Sequence, residues 1–316
     1  MVCPFLEGMR FNIQHFWIQS YSIAKVFWLG ESSSSNVILG NKGWFFLSKA
    51  GDQNELNYYR SINPFTQKEL DRWKLVLEKR KNWLASQGIR YILVIAPNKT
   101  TIYPEFLPSS LNRVTKESRL DRLIAYMKQN SNVEILDLRA SLISAKEKEL
   151  IYHPKDTHWN DLGAFIGYQQ IVKSISISHP NLKPLSRSDF KVEISNESSD
   201  LINMMGLNST TTDRRLSLVK KTENLAFEVE SGIFYQPELP IEKRPFATEL
   251  KNSNTPNILM FHDSFTSSLR PFLSETFSRI VYVWEDKLDN KIVKKERPNI
   301  VIQEIVERKL MTDPGI

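Results

Sequence analysis

Two short loops of the 316-residue chain carry residue types that together can move an acyl group. One reads Phe261-His262-Asp263-Ser264-Phe265, between the apolar run Asn257–Phe261 and a helical pattern. A serine on a sharp strand-to-helix turn exposes its hydroxyl beside backbone N–H groups that can receive an oxyanion. The same serine also suits a helix N-cap, and the loop lacks the flanking glycines of a G-x-S-x-G elbow. The other loop reads Lys155-Asp156-Thr157-His158-Trp159-Asn160. Side chains two apart on an extended chain point the same way, so Asp156 can reach the His158 imidazole. A carboxylate there fixes the ring tautomer and stabilises the imidazolium. A serine hydroxyl needs such a base, being a weak nucleophile at its own pKa. The two loops can thus supply Ser264 as nucleophile, His158 as base and Asp156 as its orienting acid; the other use of the second loop is a surface turn with Asn160 capping the next helix. Zinc is the rival use of Asp156 and His158 and wants a third ligand, His153 or His262. No H-E-x-x-H motif is present, and neither a metal nor a cofactor is predicted.

These loops need a scaffold that brings them together. Residues 66–87 read as a helix with Thr66 and Glu69 as a capping box and Gly88 as C-cap. The apolar run 89–96 follows as a buried strand. The alternation continues with helix 116–130, strand 133–138, helix 139–149, loop 150–158 and helix 160–177. After the serine loop come helix 264–277, strand 279–284, helix 286–295, strand 299–303 and helix 304–311. Strands alternating with helices predict a mostly parallel sheet covered on both faces, a three-layer α/β/α domain. Ligands bind such sheets beyond the carboxyl ends of the strands, where both loops fall. Residues 37–48 predict a hairpin turning at Gly40-Asn41-Lys42-Gly43. Residues 180–255 are polar and break the alternation. They read as an insertion or lid with short strands at 190–194 and 227–235.

Residues 1–36 read as an aromatic-rich amphipathic arm and linker, leaving 37–316 as the main domain. The stretch 16–29 is interrupted by Gln19, Ser20, Ser22 and Lys25. It falls short of the ~20 apolar residues of a spanning helix, and the N-terminus lacks the pattern of a secretory signal. Cys3 is the single cysteine, so no intrachain disulfide or cysteine-rich zinc site can form. The 42 basic residues exceed the 36 acidic ones by a margin too small to argue for nucleic acid, and no basic run is interleaved with aromatics.

At these positions the chain resembles the alginate O-acetyltransferase family with an SGNH-hydrolase-like domain, the AlgX/AlgJ or "DHHW" group. The resemblance is carried by residues 11–16 and 29–38, the hairpin 40–46, and the loop Ile95-Ala96-Pro97-Asn98-Lys99-Thr100-Thr101-Ile102-Tyr103-Pro104. It continues in Asp156-Thr157-His158-Trp159-Asn160, His262-Asp263-Ser264-Phe265 and residues 298–308. The chain departs from the family's pattern in having Asp-Thr-His for Asp-His-His, and His262 where a glycine usually precedes the Asp-Ser pair. The resemblance implies an SGNH-hydrolase-like fold and a triad of Ser264, His158 and Asp156 that transfers acetyl groups to an exopolysaccharide. It also implies a periplasmic or inner-membrane-associated location and a membrane-bound acetyl-donor protein that the arm can dock.

Around the triad, the N–H groups of Ser264 and Phe265 and the side chain of Asn98 are the expected oxyanion donors. Lys99 and Tyr103 are expected to line the sugar site and Trp159 to stack on a sugar ring. His262 is expected to narrow the site or join the oxyanion network, with Arg270 and Arg139 available for anionic groups. Transfer by a ping-pong route through acetyl-serine, hydrolysis of a carbohydrate acetyl ester, and a non-catalytic glycan-binding subunit are the three readings these residues allow.

Overall fold

Aliphatic runs without polar alternation need cover on both faces, which only a sheet between helical layers provides. The computed structural model describes residues 17–231 and 238–315; residues 1–16 of the arm and part of the strand expected at 227–235 lie outside them. The strands are β1 Val37–Leu39, β2 Phe45–Leu47, β3 Lys49–Ala50, β4 Gln53–Asn54, β5 Arg90–Ala96, β6 Glu134–Asp137, β7 Phe190–Glu197, β8 Asp213–Lys220, β9 Ala226–Val229, β10 Phe246–Leu250, β11 Asn257–Phe261, β12 Arg279–Val283 and β13 Ile300–Val306. Seven of them form the central sheet in the order β6-β5-β13-β11-β12-β10-β9. β6 through β12 pair in parallel, while β10 and β9 add an antiparallel edge.

Alternate residues of each central strand feed separate cores, as the period of two requires. Ile92, Val94, Met260, Ile302 and Tyr282 join one core with helix Asp161–Ser176. Leu93, Ile95, Leu259, Val301 and Val281 join the other with helices Gln67–Ser86 and Arg119–Asn130. The expected three-layer α/β/α architecture is thus observed. The Thr66/Glu69 capping box forms, and Gly88 takes a positive φ of 73°, a conformation that glycine adopts without a Cβ clash. The 37–48 hairpin forms as β1 and β2.

Three elements differ from expectation. The helix expected at 264–277 is split into a 3-10 turn Ser264–Ser268 and a helix Arg270–Ser274. Pro271 has no N–H to continue the ladder. The helix expected at 304–311 begins as strand, because β13 stays in register with β5 up to the pair Val306–Ala96; a 3-10 turn Glu307–Met311 follows. Finally, 180–255 is not wholly an insertion. β9 and β10 belong to the central sheet, and only the β7–β8 ribbon stands apart from it.

The helix Asp161–Ser176 starts against the loop that carries the Asp-x-His sequence. A Cβ on Gly163 would lie 2.3 Å from the Ile151 carbonyl oxygen and 2.9 Å from Trp159 Cβ. Gly163→Ala is expected to lower the unfolding free energy by about 1–3 kcal/mol, read as a lower urea midpoint.

Candidate active site

The carboxyl ends of β5, β13 and β11 lie side by side; the serine loop leaves β11, while the Asp-x-His loop follows helix Arg139–Lys146. After β11, Asp263 shapes the turn. Its Oδ1 accepts the Phe265 N–H at 3.0 Å and its Oδ2 accepts the Val306 N–H at 2.7 Å. Ser264 then opens the 3-10 turn, half-buried. As the first residue of that turn, its N–H has no acceptor within the helix. Beneath the turn, Glu304 Oε2 accepts from the Asp263 N–H and the Thr266 hydroxyl. Burial and then the Asp263 charge push Glu304 far above its usual value, so its neutral form is favoured.

The loop 151–160 is pinned from inside. Asn160 Oδ1 caps the following helix through the N–H groups of Leu162 and Gly163, and its Nδ2 donates to the Leu150 carbonyl. Lys99 points its ammonium into the loop. It donates to the carbonyls of His153, Pro154 and Asp156 at 2.9, 2.9 and 2.7 Å, with the Trp44 and Phe46 rings 5.3 and 5.0 Å away. Burial pulls Lys99 down to about 8; the carboxylates of Asp156, Asp200 and Asp213 oppose it, and the lysine stays charged at neutral pH.

So held, the two loops meet. Ser264 Oγ lies 2.8 Å from His158 Nε2, a contact between residues 106 apart in the chain. His158 Nδ1 lies 2.7 Å from Asp156 Oδ1, which also accepts the His158 backbone N–H at 3.0 Å. Arg215 Nη2 donates to Asp156 Oδ2 at 2.8 Å. A carboxylate on Nδ1 keeps the proton there and leaves Nε2 free to accept from the serine. Burial alone would raise Asp156, but the His158 hydrogen bond, the His158 charge and Arg215 hold it far below the carboxylate range. Burial likewise opposes the imidazolium, and the Asp156 hydrogen bond and charge outweigh it, raising His158.

Of the other expected residues, Asn98 and His262 are fully buried at the same strand ends. Asn98 Oδ1 faces only donors, the Arg308 N–H at 3.3 Å and its Nη1 at 3.5 Å. That assigns the other branch of the amide as Nδ2, which is buried with no hydrogen-bond partner among the described residues. The remaining expectations need correction. The Phe265 N–H is occupied by Asp263, and its ring packs 5.0 Å from the His158 ring. Lys99 is inside the protein, holding the loop, rather than lining a sugar site. Tyr103 is buried, its ring tilted against Trp44 at 4.6 Å, with its hydroxyl accepting from the Ile151 N–H. Trp159 has no exposed face for a sugar; it is wholly buried and its indole N–H donates to the Phe265 carbonyl at 3.0 Å. His262 sits against Tyr282 and Trp284 with Nδ1 2.8 Å from the Asp263 carbonyl oxygen, and burial lowers it to about 4. Arg139 is engaged by Asp137 and Asp121, and Arg270 lies over the Phe246 and Tyr282 rings.

Sequence reading missed Arg215, Asp200 and Arg308. Arg215 and Asp200 lie in the polar stretch 180–255, where no motif marks them. The third potential ligand beside Asp156 and His158 is Asp200, not His153 or His262. The Arg215 guanidinium on Asp156 already supplies a positive charge there, and a second cation would be repelled.

Residues 37–307 match the family described as "SGNH hydrolase-like domain, acetyltransferase AlgX". The chain belongs to this family. A probable alginate O-acetylase AlgJ of Pseudomonas aeruginosa is 26% identical over 143 residues, covering 45% of this chain and 34% of that protein. The match thus spans about a third of that relative's length. PatB1 of Bacillus cereus, solved with a sulfonyl adduct, superposes over 88% of this chain and 98% of its own at a TM-score of 0.61 and 16% identity. The O-acetyltransferase domain of Pseudomonas putida AlgJ superposes over 88% of this chain and 92% of its own, with a TM-score of 0.58 and 19% identity. These likenesses establish the SGNH-hydrolase-like fold.

The two shifts in the Asp156–His158 pair set a pH window. A depressed carboxylate stabilises above its unfolded value, about 3.9, and the contribution is lost as pH falls through the folded value. A raised imidazole stabilises below about 6.5, and that contribution is lost as pH rises through the folded value. The stability difference between wild type and Asp156→Asn is therefore expected to be largest between about pH 4 and 6.5 and to shrink on either side. Urea midpoints across pH 3–9 check this.

Proposed function

We propose that this chain is a polysaccharide O-acetyltransferase domain that works through an acetyl-serine on Ser264. The observation that carries the reading is the continuous Ser264–His158–Asp156 contact, 2.8 Å and then 2.7 Å. His158 Nε2 takes the Ser264 proton as Oγ attacks the carbonyl carbon of an acetyl ester. The tetrahedral oxyanion collapses, the donor's oxygen leaves with the proton from His158, and the acetyl group remains on Oγ. A sugar hydroxyl then gives its proton to His158 and attacks the acetyl-serine, and Ser264 leaves and recovers its proton. Water in place of the sugar gives an esterase, the alternative within the same chemistry.

The oxyanion donors in this reading are the Ser264 N–H and Asn98 Nδ2. A buried amide nitrogen without a partner costs about 1–3 kcal/mol, a cost offset when charge develops beside it in the transition state. The family's AlgJ and AlgX members, named for alginate acetylation, favour an uronate-rich polysaccharide as acceptor and a periplasmic or inner-membrane-associated setting. Among the described residues no helix is long and apolar enough to cross a membrane. The helix 17–28 exposes Trp17, Tyr21, Phe27 and Trp28, and in this reading that face docks a membrane-bound protein supplying the acetyl group.

Incubation with a chromogenic acetyl ester is expected to add one acetyl mass to wild type and none to Ser264→Ala, and added oligosaccharide is expected to remove it as acetylated sugar. Acetate without acetylated sugar would instead favour the esterase, and no adduct under any condition would favour a glycan-binding subunit. Asn98→Ala is expected to slow formation of the adduct by about 10²–10³-fold, measured by rapid-quench mass spectrometry.

A further inference from the structure

The acid side of His158 holds more than one carboxylate. Asp200 begins the short helix Asp200–Met204, and its Oδ2 lies 3.8 Å from His158 Nδ1. Its Oδ1 accepts the Thr157 backbone N–H at 2.9 Å, and its Oδ2 accepts a hydrogen bond from the Thr157 hydroxyl. Thr157 Oγ1 is 3.1 Å from His158 Nδ1. A hydroxyl has one proton; with that O–H donating to Asp200, the oxygen can only accept from Nδ1–H. The Nδ1 proton is thus shared between Asp156 Oδ1 and Thr157 Oγ1, and both acceptors end on a carboxylate.

Cationic groups also face the imidazole and offset part of the Asp156 field. Asp156 is paired with the Arg215 guanidinium from β8, which offsets much of its field. The Arg308 guanidinium, 5.7 Å from the Phe265 ring beside His158, also opposes the imidazolium. Lys99 adds an ammonium on the Asp156 carbonyl. Ser264 and Phe265, from the nucleophile loop, are uncharged. Asp200 is the remaining carboxylate in contact range; burial and then the Asp156 charge raise it, while the His158 charge and the Thr157 hydrogen bonds favour its charged form. The helix that carries it is held in place by Leu201, Ile202 and Met205, which pack with Val37, Phe45 and Leu47 of the hairpin and with Ile23 and Val26.

We propose that Asp200 is a positioning residue that acts through Thr157 to hold the Nδ1 proton and to set the basicity of His158. The proposal deepens the reading of His158 as the base. A unit charge at about 4 Å in a partly solvated site moves a titration by on the order of one pH unit or more. Removing a negative charge makes the imidazolium less stable, so the His158 pKa must fall.

The test is an NMR titration of the full chain with 15N-labelled histidine, the His158 signal being assigned by its loss in His158→Gln. Asp200→Asn is expected to lower the His158 pKa by about one unit. Thr157→Val keeps the carboxylate but removes the hydroxyl, so a smaller fall in the same direction is expected; it serves alone if Asp200→Asn does not fold. An unchanged or raised His158 pKa in the folded variants overturns the proposal. The titration needs no turnover, so a wild type that forms no acetyl-serine would overturn the transfer reading and leave this one standing.

Discussion

A buried ammonium organises this protein's candidate site. Lys99 leaves the end of β5 and places its charge inside the loop 151–160, where three backbone carbonyls receive it. Backbone oxygens turned inward would be costly without a donor, and a buried lysine would be costly without acceptors; each requirement is met by the other. The hairpin β1–β2 closes the arrangement, with Trp44 and Phe46 beside the ammonium and the Phe45 N–H on the Pro154 carbonyl. Strand end, hairpin and loop are thereby fixed as one unit, and Asp156 and His158 leave it at a set distance from Ser264.

The nucleophile side has its own clamp. Asp263 spends both carboxylate oxygens on backbone N–H groups, one in the serine turn and one at the end of β13. The turn is therefore tied to the neighbouring strand β13 as well as to its own. A charged Glu304 beneath Asp263 would set two carboxylates against each other, and burial pushes it toward the neutral form. The fully buried Trp159 then links the two sides, since it belongs to the Asp-x-His loop and donates to the Phe265 carbonyl.

Charge around His158 comes from four distant parts of the chain. Asp156 lies in the loop, Arg215 on a ribbon, Asp200 on a short helix and Arg308 after the last strand. The ribbon β7–β8 stands outside the central sheet, yet its Arg215 reaches Asp156 across 59 residues of sequence. The polar segment is thus part of the site and not only a cover over it. The hydrophobic face of the Asp200 helix also meets residues of the arm, Ile23 and Val26, so the N-terminal region is physically continuous with the residues around the base.

Much of the architecture was legible in the sequence because it depends on local chemistry. Unbroken aliphatic runs, the Thr66/Glu69 box and the glycines at 40, 43 and 88 act over a few residues, and they imply buried parallel strands, a helix start and turns wherever the rest of the chain goes. The Asp156–His158 contact was legible for the same reason, being two residues long. Ser264 could be singled out by its place after a strand, but its approach to His158 depends on the order of strands in the sheet. The sugar-site roles assigned to Lys99, Tyr103 and Trp159 were wrong because polarity and aromaticity do not reveal which way a side chain points; β5 and the loop turn all three inward. Arg215 and Asp200 carried no signal at all, since a charged residue in a polar segment looks like solvent-facing surface. Only tertiary structure decides that an ion from residue 215 and another from residue 200 converge on one imidazole, because electrostatic partners are selected by distance in space and not along the chain.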